Sequence, residues 1–471
     1  MRLCVFIRGN RLMLFFDFFK EPALIEPIKD ENEVKKKYKH FRWRMFYACF
    51  IGYIVFHFIK KNLAVAMPEL STDLGYSNTE LGILGASLYL TYGIGKFVNG
   101  ILSDSSDVRK FMPTALFLSA LANLGFLAST KFITPGEFTF FGLPSATVLL
   151  WVLAFFWGAN GWFQSGGFPP IAKTLSYWYC NPERGRVWAM WSTSHQFGVM
   201  IAVYLSGFCI NKMGWEGAFI VPSILSIICA IWLYDRLRDR PQSLGLPDIE
   251  VYKKTISEDC PAEEDNRSYF QVYKESILCN KIMWLLAISY VFVYVIRYGT
   301  EDWFVKYLVE DKGNTLVMAT SKLSVLAGAG IFGVMAAGTI SDTVFGGKRA
   351  PVNILYLVFV ALSILGLCFS PADMHWLDFV CAAAIGFFTG GPQMLIGGLC
   401  AIEASSKKVA SAATGFTGVF GYIGAVLSSM VTGIVIDKCG WNGAIAFWVG
   451  SAVVCILICL ILLKNEYSRK A

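Results

Sequence analysis

Charge is scarce in this chain. Asp, Glu, Lys and Arg make up 16% of its 471 residues, where soluble domains run nearer a quarter. Histidine occurs four times, with no cluster at metal-ligand spacing, so no metal site is expected. The thirteen cysteines are scattered through apolar stretches without a Cys-x-x-Cys pair and read as small packing residues. There is no Gly-x-x-x-x-Gly-Lys-Ser/Thr loop, which argues against ATP drive. No chain of intramembrane carboxylates looks like a proton relay, and no nucleophile–base pair or cofactor motif suggests an enzyme.

Apolar residues are abundant: 55% of the chain is hydrophobic and the mean hydropathy is +0.52. A window of about 19 residues picks out twelve spans, at roughly 45–66, 80–103, 111–130, 147–172, 187–210, 217–235, 282–303, 323–341, 351–370, 376–402, 410–436 and 441–463. The expected fold class is an all-α membrane protein with twelve transmembrane helices embedded in a lipid bilayer. The net charge of +7 does not point to nucleic acid, because the 41 Lys and Arg are sorted by loop. Of these, 31 fall in the N-terminal 44 residues, the loops after even-numbered spans and the tail. Six (Lys131, Lys212, Lys306, Lys312, Lys322, Lys438) follow odd-numbered spans, and four lie within spans. The positive-inside rule then places both termini in the cytoplasm, which requires an even number of crossings.

The organisation follows as residues 1–44 (cytoplasmic segment), 45–235 (first six-helix half), 236–281 (cytoplasmic linker), 282–463 (second half) and 464–471 (tail). The opening run from Met1 to Phe19 is short, interrupted by Asp17 and without a small-residue cleavage site, so it is not a signal peptide; Met1 or Met13 can serve as the start. Residues 26–44 are expected to be solvated or interfacial, and the charges of the linker, including Glu258-Asp259 and Glu263-Glu264-Asp265, to be solvated.

Four basic residues inside spans carry the functional argument. Arg297 lies about three-quarters of the way along the run from Ile282 to Trp303. A cation at mid-membrane costs roughly 2.5–3.5 kcal/mol on insertion scales, so it normally faces a cavity or a partner. Snorkelling to the nearer interface is the bland alternative; pairing with Glu301 or Asp302, about one turn further on, is another. An echo 237 residues earlier favours a site: Lys60, beside Lys61, ends the apolar crossing that begins near Tyr53.

The halves repeat. Gly100-Ile-Leu-Ser-Asp104 with Arg109-Lys110 answers Gly338-Thr-Ile-Ser-Asp342 with Lys348-Arg349, and Gly214-Trp215-Glu-Gly217-Ala218 answers Gly440-Trp441-Asn-Gly443-Ala444. Two six-helix repeats, with substrate bound near the midplane between them, are the plan of the major facilitator fold. Asp104 and Asp342 are the gating candidates, expected to pair with nearby basic residues and to act alike. Trp215 and Trp441 read as interfacial turn residues.

Other polar positions fill in the cavity. Lys96 either lines it or snorkels. Glycines and prolines from Gly161 to Pro170 kink the fourth span, which would turn Gln164 towards the cavity. His195 needs a partner in lipid and is placed facing the cavity. Gly415, Gly418, Gly421 and Gly424 form a smooth face for close packing, from which Tyr422 projects. Two facing cations, Lys60 and Arg297, suit one dianion, and a guanidinium fork matches phosphate oxygens. Without ATP or proton drive, exchange of one anion for another remains.

At these residues the chain resembles the organophosphate:phosphate antiporters, the glycerol-3-phosphate and hexose-phosphate transporters. The likeness runs over about residues 41 to 465. It is carried by Gly52-Tyr53 through Lys61-Asn62 to Met67-Pro68, Gly95-Lys96-Phe97 with Ser103-Asp104, Gly161-Trp162-Phe163-Gln164 with Pro169-Pro170, Glu183-Arg184-Gly185, Tyr294 to Asp302-Trp303, and Lys407-Lys408 through Tyr422. The resemblance implies rocker-switch exchange of inorganic phosphate for an organic phosphate ester across a bacterial inner membrane, by a monomer. It assigns Arg297 to the second phosphate-binding arginine and His195 to the span-5 histidine; Lys61, Tyr53, Lys96, Gln164 and Tyr422 match other cavity positions. The first binding arginine falls on Lys60, which keeps the charge and loses the fork. His57 stands where glycerol-phosphate carriers tend to have Tyr, while Thr414 and Thr417 replace the Asp and Lys of some hexose-phosphate members. A composition rich in Phe and Cys fits a bacterium living on host sugar phosphates, so glucose 6-phosphate is the favoured ester. Glycerol 3-phosphate transport and a transporter-like sensor of hexose phosphate are the alternatives.

Overall fold

The computed structural model describes residues 18–134, 136, 139–140, 142–253, 269–371, 373–405 and 409–468. Met1, Met13, the Leu14–Asp17 stretch, the acidic clusters of the linker, Arg267 and Lys407-Lys408 lie outside the described residues. In the first half, α1 (Glu31–Phe58) and α2 (Asn62–Asp73) make one broken crossing, followed by α3 (Asn78–Asp104) and α4 (Val108–Phe132). A two-strand hairpin, Thr139–Phe140 with Leu143–Pro144, and an isolated antiparallel bridge between Lys20 and Ser106 depart from the helical structure. Then come α5 (Ser145–Gln164) and α6 (Phe168–Trp178), α7 (Asn181–Met213) and α8 (Gly217–Arg236). The break at Ser165–Gly167 is the kink that the glycines and prolines of this stretch lead one to expect.

The second half comprises α9 (Lys281–Asp302), α10 (Phe304–Glu310), α11 (Leu316–Thr343), α12 (Ala350–Phe369), α13 (His375–Met394) and α14 (Ala410–Ser468). Among the described residues, eleven helical segments are long and apolar enough to cross a membrane. The last, α14, has 59 residues and bends at Gly440, whose φ of 67° only glycine adopts without strain. At about 1.5 Å per residue it is long enough for two crossings, which brings the total to twelve.

Helices in lipid gain no hydrophobic drive against each other, so contact depends on close van der Waals packing at small residues. A Cβ on Gly82 of α3 would stand 2.6 Å from the Ser429 carbonyl of α14, and one on Gly386 of α13 would lie 1.8 Å from the Leu326 carbonyl of α11. Gly421 and Gly424 pack on Tyr290, Tyr294 and Val291 of α9, while Gly415 and Gly418 of the same row face open space.

Two placements differ from the sequence reading. The start of the linker is docked rather than solvated, against the segment Phe18–Ile28: Ile25 and Ile28 N–H groups donate to the Gln242 and Gly245 carbonyls. Lys173 of α6 is buried and binds Glu21 at 2.9 Å, Asp239 at 3.1 Å and the Ser106 carbonyl at 2.8 Å. Arg240 pairs with both Glu21 and Asp239, and the Asp239 carboxylate is wholly buried. The sequence hides this because the cluster joins four distant stretches. Likewise Lys322, read as a loop residue, lies within α11 and is fully buried on Asp378 (2.7 Å) and Asn314 (2.5 Å).

Removing one member of a buried ion pair leaves an uncompensated charge and costs about 3–5 kcal/mol. Lys173→Ala and Asp239→Asn are therefore expected to lower the thermal midpoint of the purified protein by several degrees; an unchanged midpoint would refute a stabilising cluster. Burial pushes the Glu21 carboxyl up, but Lys173 and Arg240 outweigh it and hold it below the ordinary value. Its share of the stability is present above the ordinary carboxylate range and is lost as pH falls through the lowered value.

Candidate functional site

The site is built around the break between α1 and α2. Helix α1 stops at Phe58, and Ile59–Lys61 form a turn before Asn62. Carbonyls freed there need donors, and three amides supply them. Gln164 Nε2 donates to the Phe56 carbonyl at 2.8 Å, and Asn160 and Asn123 donate to the Ile59 carbonyl at 2.7 and 3.2 Å. The carbonyl end of a helix favours a cation, and Lys60 and Lys61 follow directly. Gln164 thus spends its donors on α1 and on Ser119 (3.1 Å). It positions the lysines instead of projecting its amide nitrogen into a cavity.

Across the interface, Arg297 stands in the last third of α9. Its Nε donates to Glu301 Oε1 at 2.9 Å, one turn on, and its Nη2 lies 3.2 Å from His195 Nε2 on α7. Lys61 Nζ binds Glu301 Oε2 at 2.9 Å and Asp302 Oδ1 at 2.7 Å. Asp302 Oδ2 accepts from the Tyr89 hydroxyl of α3 at 2.5 Å. Arg297 and Lys61 are each 3% exposed. The pairing of Arg297 with Glu301, the weaker alternative from sequence, is therefore the one observed. The acid missing beside the first-half cations is supplied from the other half.

Lys60 is the cation left over. Its Nζ sits 4.2 Å from the centre of the Tyr92 ring, and it has no carboxylate in hydrogen-bond range among the described residues. The rings continue: Tyr92 lies 4.9 Å from Tyr422, Tyr422 5.8 Å from Tyr294, and Tyr89 4.5 Å from Tyr298. Lys96 Nζ is 5.5 Å from the Tyr422 ring and 5.3 Å from Phe168, so it faces this cluster rather than snorkelling. Tyr53 stands 5.0 Å from His57, and His57 4.7 Å from His195.

The structure thus gathers Lys60, Lys61, Arg297, His195, Tyr53, Lys96 and Tyr422 between the halves, with Gln164 one layer behind. Four fixed cations face two carboxylates, Glu301 and Asp302, an excess of two positive charges that matches one dianion. Sequence reading missed Tyr89, Tyr92 and Tyr298 as members of the cluster. The signal was present in the spacing of Tyr290, Tyr294 and Tyr298, four apart on one helix face.

Hydrogen bonds joining the halves lie at this site and towards the face where α3 begins. There Asp437 of α14 accepts from the Asn78 and Thr79 N–H groups at 3.1 and 2.7 Å and from their side chains at 2.8 and 2.6 Å. A carboxylate on the first turn of α3 also meets the positive end of its dipole. Ser429 Oγ donates to the Gly82 carbonyl at 3.1 Å, one turn deeper.

At the opposite face the two gating candidates are unlike. Asp342 pairs with Arg349 at 2.6 Å, and Arg349 also binds Glu403 at 3.0 Å, all within the second half. Asp104 has no ion pair or hydrogen bond among the described residues. Arg109 is instead drawn to the Tyr234 carbonyl at 2.9 Å and over its ring at 4.8 Å. The expectation that both aspartates act alike through paired charges is corrected on this point.

A duplicated twelve-crossing bundle with a charged chamber between its halves is the architecture of a secondary transporter. Residues 49–428 match the Major Facilitator Superfamily. The crystallised D-xylose-proton symporter has the same fold, with a TM-score of 0.69 over 90% of this chain and 98% of that one, at 13% identity. A "Probable hexose phosphate transport protein" of Chlamydia muridarum (strain MoPn / Nigg) is 42% identical over 458 residues, 95% of this chain and 96% of its own length. The "Membrane sensor protein UhpC" of Escherichia coli (strain K12) is 33% identical over 455 residues, 96% and 99% of the two chains. The chain belongs to the Major Facilitator Superfamily and, within it, to the organophosphate:phosphate antiporter family.

The cap that Asp437 places on α3 makes a direct prediction. Losing an N-cap acceptor costs about 0.5–2 kcal/mol, so Asp437→Ala should speed amide hydrogen exchange at Asn78 and Thr79 between a few-fold and thirty-fold. Exchange at wild-type rates would remove the contact between halves from the account.

Proposed function

We propose that the protein exchanges an organic phosphate ester, with a hexose 6-phosphate favoured, for inorganic phosphate by alternating access. It would do so in a bacterial inner membrane, with both termini in the cytoplasm. The observation that carries this reading is the chamber itself: Lys60, Lys61, Lys96 and Arg297 meet at the seam between repeats with an excess of two positive charges. A dianionic phosphoryl group neutralises that excess, and charge-assisted hydrogen bonds to it are the strong kind.

Glu301 gives the exchange its logic. It holds Lys61 and Arg297 and joins the halves where alternating access needs them to part. An incoming phosphoryl group competes with Glu301 for the guanidinium, so binding loosens one tie and makes another. An empty carrier would keep the tie and reorient slowly, which is what obligatory exchange requires. The contact of Asp437 with α3 closes the face that the charge sorting of the loops assigns to the outside.

The preference for a hexose phosphate draws on the name of the Chlamydia muridarum relative. A second reading, a membrane sensor that binds hexose phosphate without substantial flux, has the similarity to the Escherichia coli sensor in its favour. Counterflow of labelled phosphate in proteoliposomes separates the two: a carrier exchanges, and a sensor does not.

Removing Arg297 or Lys60 takes several charge-assisted hydrogen bonds of roughly 1.5–3 kcal/mol each from the phosphoryl group. Lys60→Ala and Arg297→Lys should abolish counterflow, whereas Lys60→Arg should retain it and tighten phosphate binding through the added fork. Glu301→Gln should raise phosphate affinity and permit net uptake into phosphate-free vesicles. Wild-type affinity together with strict exchange in that variant would show that Glu301 is not the competing anion.

A further inference from the structure

Two cavities flank the ion cluster. The one against α2 and α3 is lined by Leu63, Met67 and Trp157 together with Lys60, Tyr89 and Asp302. The other lies against the second half and is lined by Arg297, Glu301, Thr300, Gln196, Thr389 and Gln393, with glycines, Leu326 and Ala327 between them. Gln196 and Gln393 are half-buried, and neither side-chain amide has a hydrogen-bond partner among the described residues. Thr300 and Thr389 donate their hydroxyl protons to the Ile296 and Ile385 carbonyls, at 2.9 and 2.6 Å, and keep lone pairs free to accept.

The wall behind these groups is backbone. Gly330 and Gly386 line the cavity where α11 and α13 run in direct contact, and a Cβ on Gly386 would collide with the Leu326 carbonyl. The result is a flat surface with amide donors, amide acceptors and hydroxyl acceptors around it. Vicinal hydroxyls, each of which donates and accepts, are the ligand chemistry that such an array satisfies.

We propose that the cavity bounded by Gln196, Thr389 and Gln393 is the subsite for the polyhydroxylated part of the transported ester, a sugar ring held by its hydroxyls while its phosphoryl group sits on Arg297. The inference rests on the phosphate-ester reading above and deepens it. Arg297 lines both the ion cluster and this cavity, so one ligand anchored on its guanidinium reaches both. Inorganic phosphate has nothing to place there. Gln196 belongs to the first half and Gln393 to the second, so a ring bound by both also spans the seam.

The test compares ligands in the full-length protein. Glucose 6-phosphate, glycerol 3-phosphate and inorganic phosphate compete against counterflow of labelled phosphate in proteoliposomes. Gln393→Leu and Gln196→Leu should each raise the half-inhibitory concentration of glucose 6-phosphate about tenfold, the value of a hydrogen bond or two. Glycerol 3-phosphate should shift less and inorganic phosphate by twofold or less. In the wild type, 2-deoxy and 3-deoxy analogues of glucose 6-phosphate should bind more weakly than the parent sugar, a comparison that needs no variant to fold. Equal shifts for all three ligands, or parent and deoxy sugars that compete alike, would overturn the subsite. Absence of phosphate counterflow in the wild type would count against the carrier reading instead, and in that case binding of the same sugars to purified protein tests the subsite separately.

Discussion

The carboxylate of Glu301, shared between Lys61 of one half and Arg297 of the other, is the contact on which the chamber depends. It bridges two buried cations that stand on different repeats, and breaking a buried pair costs several kcal/mol. The tie still leaves Lys60 and Lys96 without a carboxylate in hydrogen-bond range among the described residues.

The two halves reach that contact by different local means. In the first, a helix is broken and its loose carbonyls are taken up by Asn123, Asn160 and Gln164, so that two lysines stand beyond a capped end. In the second, α9 runs unbroken past Arg297 and supplies its own acid one turn later. The repeat gives approximate two-fold placement of charge, while the chemistry holding each charge has diverged. Gln164 illustrates the point: it matters to the site by supporting the turn that carries Lys60.

Much of this was legible in the sequence because membranes impose simple rules. Span length, the sorting of Lys and Arg and the paired Ser-Asp and Gly-Trp motifs gave twelve crossings and the duplication. The cost of a charge in lipid singled out Lys60, Arg297 and Lys96 directly. What could not be read was which groups pair across the seam. Arg297 and Glu301 are four residues apart and the pairing was at least foreseeable, but Lys61 finds Asp302 241 positions away. Lys173 and Asp239 were hidden for the same reason, since hydropathy cannot tell a solvated linker from one folded back on a helix end. The difference between Asp104 and Asp342 arises in local competition for arginine, to which a repeated motif is blind.

The cluster of Glu21, Lys173, Asp239 and Arg240 also bears on how the chain is made. Every member precedes Lys281, the first residue of α9, so the last component leaves the ribosome before any helix of the second half exists. Domains fold as units during synthesis, the N-terminal one first. The first six crossings can thus fasten this end of their own bundle and wait as a finished body while the other six are threaded into the membrane. Assembly then reduces to docking two prefabricated bundles, and Lys61 finds its carboxylates only at that final step.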